Sequence, residues 1–356
     1  MKLKNTIGAA LLGAMAVLLG AGAQAQERWW PAAVKDMSGK APVALQYQPG
    51  EKATKPWRIC ALFPHMKDTI WLAVNYGIVE EARRQGVAVT IYQAGGYENL
   101  PRQLSQFDDC MAAGFDALVV GAISEAGLAR KFREAEKAGK PVIAVLNPVD
   151  KAPTASKVFA DNVVMGESTG SFLAQHVAGK QTNIVALPGP AGSGWAEQFA
   201  QGLKKAVAAN KHLRLVDEKF GDTGVAVQLR LVQNALQANP DLNVLWGNAT
   251  MIEGAIGALR EANRKDVLLI AEYENQAMLD ALKSGQILGF ATQYPVLQGR
   301  IAVDLAIKAL QKEKVPSFVA PVPAMVTTST LPSINTSLVL APASFQAVYS
   351  VAAPAK

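Results

Sequence analysis

The sequence has 356 residues, of which 50% are hydrophobic and 18% charged, with a formal charge of +6. That apolar content supports sizeable cores, and at roughly 150 residues per domain the length suits about two domains. No run of five or more Lys and Arg occurs, so the mild basicity does not point to nucleic acid.

Residues 1–25 carry the three parts of a secretory signal: Lys2 and Lys4, an apolar run from Ile7 to Gly20, and the small-residue site Ala23-Gln24-Ala25. The run is too short and too weakly flanked to span a bilayer. Cleavage after Ala25 is therefore expected, into an oxidising compartment. No second apolar stretch is long and unbroken enough to cross a membrane. Residues 26–56, rich in Pro, Gly and Lys with Trp29 and Trp30 near the start, read as an extended N-terminal arm.

From Trp57 apolar strands alternate with amphipathic helices. Strand-like runs lie at Arg58 to Phe63, Val87 to Ala94, Ala117 to Gly121 and Val142 to Leu146. Helical patterns fill the gaps, and Gly86, Gly114 and Gly139 mark their ends. Turn residues from Asn147 to Pro153 interrupt the rhythm, which then restarts with strands at Lys157 to Ala160, Asn183 to Leu187, Arg214 to Phe220, Asn243 to Gly247, Val267 to Ala271 and Leu288 to Thr292. Continuous apolar strands separated by helices mean parallel sheets covered on both faces. The fold class is α/β, with two Rossmann-like lobes joined by a multi-stranded hinge. The helix Tyr294 to Leu310 has no place in the second sheet and is expected to return to the first lobe. The division is 57–150 with 294–325 for the first lobe, and 151–293 with 326–356 for the second lobe and tail.

Catalysis has no positive signal. His65, His176 and His212 form no metal motif, and Ser193 lacks the flanking pattern of a nucleophile elbow. No cofactor is expected. Gly189-Pro-Ala-Gly-Ser-Gly194 offers backbone N–H groups at a helix start, but without a phosphate-binding ending it reads as a tight strand-to-helix turn. Aromatics carry more information. Trp71, Tyr97 and Tyr273 each follow the carboxyl end of a strand, where ligands bind in open α/β sheets. Such rings attract a methylated ammonium group with about 0.5 to 2 kcal/mol per contact. Asp68, Asn162, Asn248 and Gln293 fall at strand ends or crossings and suit hydrogen bonds to a small polar ligand; Asp68 is equally placed to cap the helix that follows. Cys60 on the first strand and Cys110 on a later helix form either a disulfide or two buried thiols.

The stretch from Trp57 to about Gln311 resembles the type I periplasmic binding proteins, the ribose-binding group. Asp161-Asn-Val-Val-Met-Gly166 and Gln293-Tyr-Pro-Val-Leu-Gln-Gly299 match its second-lobe start and hinge. Cys60-Ala-Leu-Phe-Pro64, Lys67-Asp68, Trp71-Leu72, Asn75-Tyr-Gly77, Ala94-Gly-Gly-Tyr97, Leu187-Pro-Gly-Pro190 and Tyr273 resemble the branch that responds to trimethylamine N-oxide. The two cysteines also stand where that branch has them. The resemblance implies a periplasmic sensor with an aromatic cage built on Asp68, Trp71, Tyr97 and Tyr273, signalling to the periplasmic domain of a membrane sensor histidine kinase. Ile70 replaces an expected tyrosine and Asn162 an expected tryptophan, which implies a cage thinned by two rings. The alternative partner is an ABC permease, with a sugar or other polar solute as cargo. The acidic residue that sugar binders use at position 273 and their second-lobe arginine have no evident counterpart here.

Overall fold

The computed structural model describes residues 29–354, so the predicted signal peptide, residues 1–25, lies outside the described residues. The N-terminal arm is not simply extended. Ala32–Asp36 (β1) and Val43–Tyr47 (β2) pair antiparallel and form one edge of the first sheet. Ala32 and Val34 alternate inward, a period-two signal too short to stand out among the surrounding turn residues.

Arg58–Phe63 (β3), Ala88–Gln93 (β4), Ala117–Val120 (β5), Val142–Val145 (β6) and Ser156–Val158 (β7) run parallel in the order β4-β3-β5-β6-β7. Thr182–Leu187 (β8), Leu213–Glu218 (β9), Val244–Gly247 (β10), Leu268–Ala271 (β11) and Phe290–Thr292 (β12) repeat the arrangement in the second sheet, in the order β9-β8-β10-β11-β12. Both are doubly wound, with a switch point beside the first strand of each lobe. Every residue of β5, β6 and β10 is buried, as parallel strands under two helical layers require.

The sheets are parallel only at their centres. Val319–Pro321 (β13) pairs with β1 antiparallel, Ala324–Val326 (β14) with β12, and Ser350–Val351 (β15) with β4. Two expected placements change as a result. Residues 156–158 belong to the first sheet, where β7 pairs with β6; the turn residues before it join neighbouring strands and do not mark a lobe boundary. The tail does not stay with the second lobe. After β14 it crosses back, and β15 closes the far edge of the first sheet. Asn75 anchors that return, accepting from the Val348 N–H at 3.0 Å and donating to the Val348 carbonyl at 2.8 Å.

The helices are Ile70–Gln85 (α1), Leu100–Ala112 (α2), Glu125–Lys137 (α3), Asn162–His176 (α4), Trp195–Ala209 (α5), Val225–Ala238 (α6), Ala249–Glu261 (α7), Gln276–Lys283 (α8) and Pro295–Leu310 (α9). α9 packs along α1 in the first lobe, and α4 along α5 in the second. Cys60 on β3 and Cys110 on α2 are joined by a disulfide, their Cα atoms 6.1 Å apart.

Candidate ligand-binding site

The carboxyl ends of the two sheets face each other around a small cavity, with about 20 Å³ open to the centre of a water-sized molecule. The loop after β3 contributes His65 and Asp68, and the first turn of α1 contributes Ile70 and Trp71. Tyr97 follows β4, Asn147 follows β6, Asn162 opens α4, Tyr273 follows β11 and Gln293 follows β12. Seven of the eight residues expected at the site thus line one cavity. Asn248 does not. Its Oδ1 accepts from Met251 N–H at 2.9 Å, capping α7, and its Nδ2 donates to the Leu187 carbonyl at 2.9 Å. The same Oδ1 accepts from Thr250 Oγ1 at 2.7 Å, and the side chain is fully buried away from the cavity.

The helix start also shifts. Thr69 precedes the first turn of α1 without a side-chain cap, and Asp68 accepts from the Ile70 N–H at 3.1 Å. The same carboxyl bridges to the other lobe, accepting from Tyr273 Oη at 2.7 Å and Asn275 Nδ2 at 3.1 Å. Burial raises the Asp68 carboxyl above its ordinary range, and the bonds from Tyr273, Ile70 and Asn275 oppose that shift. His65 Nε2 is hydrogen-bonded to Thr223 Oγ1 across the cleft at 2.7 Å. Burial, helped by Lys67, pushes its imidazole down to about 3, so it is neutral at ordinary pH. The lobes are therefore closed.

Two rings that sequence reasoning did not assign complete the wall. Trp195 and Phe199, one helical turn apart at the start of α5, stand in the cavity with Tyr97 and Tyr273. The expected thinning by Ile70 and Asn162 is thus made good from the second lobe. The signal for Trp195 was present: it follows a strand and a glycine-rich turn, the rule applied to Trp71. A Cβ on Gly121 would stand 2.3 Å from the Trp71 ring, and one on Gly189 2.4 Å from the Trp195 ring. Each tryptophan rests on a glycine beside the end of a strand. In the same turn Glu197 accepts from the N–H groups of Gly192 and Gly194, at 2.6 and 2.9 Å. Those donors serve the loop itself, and its product is the placement of Trp195.

Polar capacity remains inside. Trp195 Nε1 is buried without an acceptor, approaching the Tyr97 hydroxyl outside hydrogen-bond geometry, and His65 Nδ1 is likewise unpaired. A buried donor left unmade costs about 1–3 kcal/mol, which a ligand oxygen recovers. Tyr97 Oη accepts from Asn147 Nδ2 at 2.9 Å, and burial raises both the Tyr97 and Tyr273 phenols, so neither ionises near neutral pH. Among the described residues no group of His, Cys, Asp and Glu is arranged to hold a metal.

A closed, aromatic-walled cavity between two Rossmann-like lobes defines a ligand-closing binding protein. The chain belongs to the periplasmic binding proteins, whose domain matches residues 59–314. It is 32% identical to the periplasmic protein TorT of Escherichia coli (strain K12) over 300 residues, which is 84% of this chain and 86% of that protein. Its structure is similar to that of an ABC transporter solute-binding protein from Bradyrhizobium sp. BTAi1 with bound bis-tris, at 36% identity and a TM-score of 0.76, covering 90% of this chain and 98% of that one. It is also similar to the TorS sensor domain–TorT complex solved without ligand and with trimethylamine N-oxide. For both, identity is 29% and the TM-score 0.74, covering 82% of this chain and 99% of the other. One of these relatives holds bis-tris and another was solved with trimethylamine N-oxide, and the chain is a binding protein rather than an enzyme.

Proposed function

We propose that the chain is a periplasmic sensor that closes on a small methylated amine oxide, trimethylamine N-oxide or a close relative, and presents its closed form to the periplasmic domain of a membrane sensor histidine kinase. One observation carries the reading. Trp71, Tyr97, Trp195, Phe199 and Tyr273 surround a cavity whose unpaired polar atoms include the donor Trp195 Nε1. An amine oxide has a cationic methylated end that favours aromatic faces and an oxygen that accepts hydrogen bonds. The similarity to TorT, and to its complex with a sensor domain, supports the same reading.

A second reading is an ABC importer's binding protein for a polar solute, favoured by the likeness to the bis-tris-bound solute-binding protein. Calorimetry separates the two. Trimethylamine N-oxide should bind with measurable heat and D-ribose should not; ribose binding without oxide binding overturns the sensor reading. Trp195→Phe keeps a ring but removes the donor, and should weaken oxide binding about tenfold.

A further inference from the structure

The mouth of the cleft is chemically unlike its floor. Glu98, in the short 3-10 turn Tyr97–Asn99 of the first lobe, folds its carboxylate back over Gly96, where a Cβ would stand 2.1 Å from Oε2. That brings it close to Asp222, in the loop between β9 and α6 of the second lobe, so that the two carboxyl groups share one neighbouring cation. Lys67 Nζ lies 3.5 Å from each of them. Asp222 Oδ1 also accepts from the Tyr97 N–H at 3.3 Å, so the pair connects directly to a residue of the cavity wall.

We propose that Glu98 and Asp222 form a proton-operated latch across the cleft, which favours the closed form when the pair holds a proton. The inference needs only the closing of two lobes and is independent of which ligand is bound. Opening separates the carboxyl groups into water, where both ionise without cost. Closing brings them together with one lysine for two charges. The charged groups facing Asp222 are Glu98 and Lys67; His65, on the same loop as Lys67, is neutral. Partial burial and the neighbouring Glu98 carboxyl push the Asp222 carboxyl up to about 6, while the same proximity holds Glu98 below its ordinary range. The sign follows from linkage. The closed form holds a proton that the open form releases, so closure is favoured below about pH 6 and weakens as pH rises through it.

Small-angle X-ray scattering of the ligand-free protein between about pH 5 and about pH 7 tests the latch. The closed-to-open ratio should fall about tenfold over that interval. Asp222→Asn keeps an acceptor for the Tyr97 N–H and an amide donor for Glu98, so it imitates the protonated pair. It should hold the wild type's acid-side ratio at every pH, and Glu98→Gln should do the same. A flat wild-type profile, or either variant retaining the wild-type slope, overturns the proposal.

Discussion

In the first lobe Gly77 of α1 meets the Val296 carbonyl and Gly299 of α9 meets that of Val74, so closely that a Cβ would stand 2.1 and 2.4 Å from those oxygens. In the second lobe Gly166 of α4 and Gly202 of α5 meet the carbonyls of Phe199 and Val163 in the same way, both at 2.1 Å. Each lobe thus brings two helix backbones together through a reciprocal pair of glycines. The helix starts that result carry Ile70, Trp71, Asn162, Trp195 and Phe199, with Gln293 just before α9.

The two pairs differ in charge. Between α1 and α9, Glu81 pairs with Arg84 and, at 3.2 Å, with the buried Arg300, whose guanidinium lies 4.1 Å from the Trp29 ring centroid. Asp304 accepts from Tyr47 Oη at 2.5 Å and from the Gly50 N–H at 2.7 Å, and pairs with Lys308 at 2.8 Å. No ion pair links α4 with α5 among the described residues. The first lobe therefore uses its helix pair to hold the N-terminal strands, while the second uses the same packing only to build its half of the cavity.

Breaking the charged part of the first pair should have the largest effect. Glu81→Ala leaves the buried Arg300 without its ion-pair partner and should cost about 3–5 kcal/mol in urea unfolding. Glu80→Ala, which removes the surface pair with Arg83 and only a more distant charge from Arg300, should cost less than about 1 kcal/mol. If the two variants match, the buried network contributes nothing special to the first lobe.

The glycine contacts come next, and here the lobes should agree. Gly299→Ala and Gly202→Ala should each destabilise by about 1–3 kcal/mol, since the backbones must separate to admit a methyl group. Gly257→Ala on α7, where a Cβ meets nothing within 4 Å, should show the smallest change, a gain of up to about 1 kcal/mol from helix propensity. A neutral Gly202→Ala would show that only the first lobe depends on close helix approach.

Much of the site was legible because strand ends are marked locally. Trp71, Tyr97 and Tyr273 stand where apolar runs stop, and all three reach the cavity. Trp195 escaped because the glycines before it drew attention to their N–H groups instead of to the ring they position. Phe199 sits a turn inside α5, where an aromatic residue is indistinguishable by pattern from a core side chain. Asn248 misled for the opposite reason: a polar residue at a strand end serves a helix cap as readily as a ligand.

By itself the sequence determined the alternation of strand and helix, two parallel-centred sheets and most of the cavity's first wall, because periodicity and strand ends are local properties. Only the tertiary structure decided that the tail closes the first sheet, that Trp195 and Phe199 replace the missing rings, and that Glu98 meets Asp222. Each of these depends on groups far apart in the chain, whose encounter is set by how the lobes fold and close.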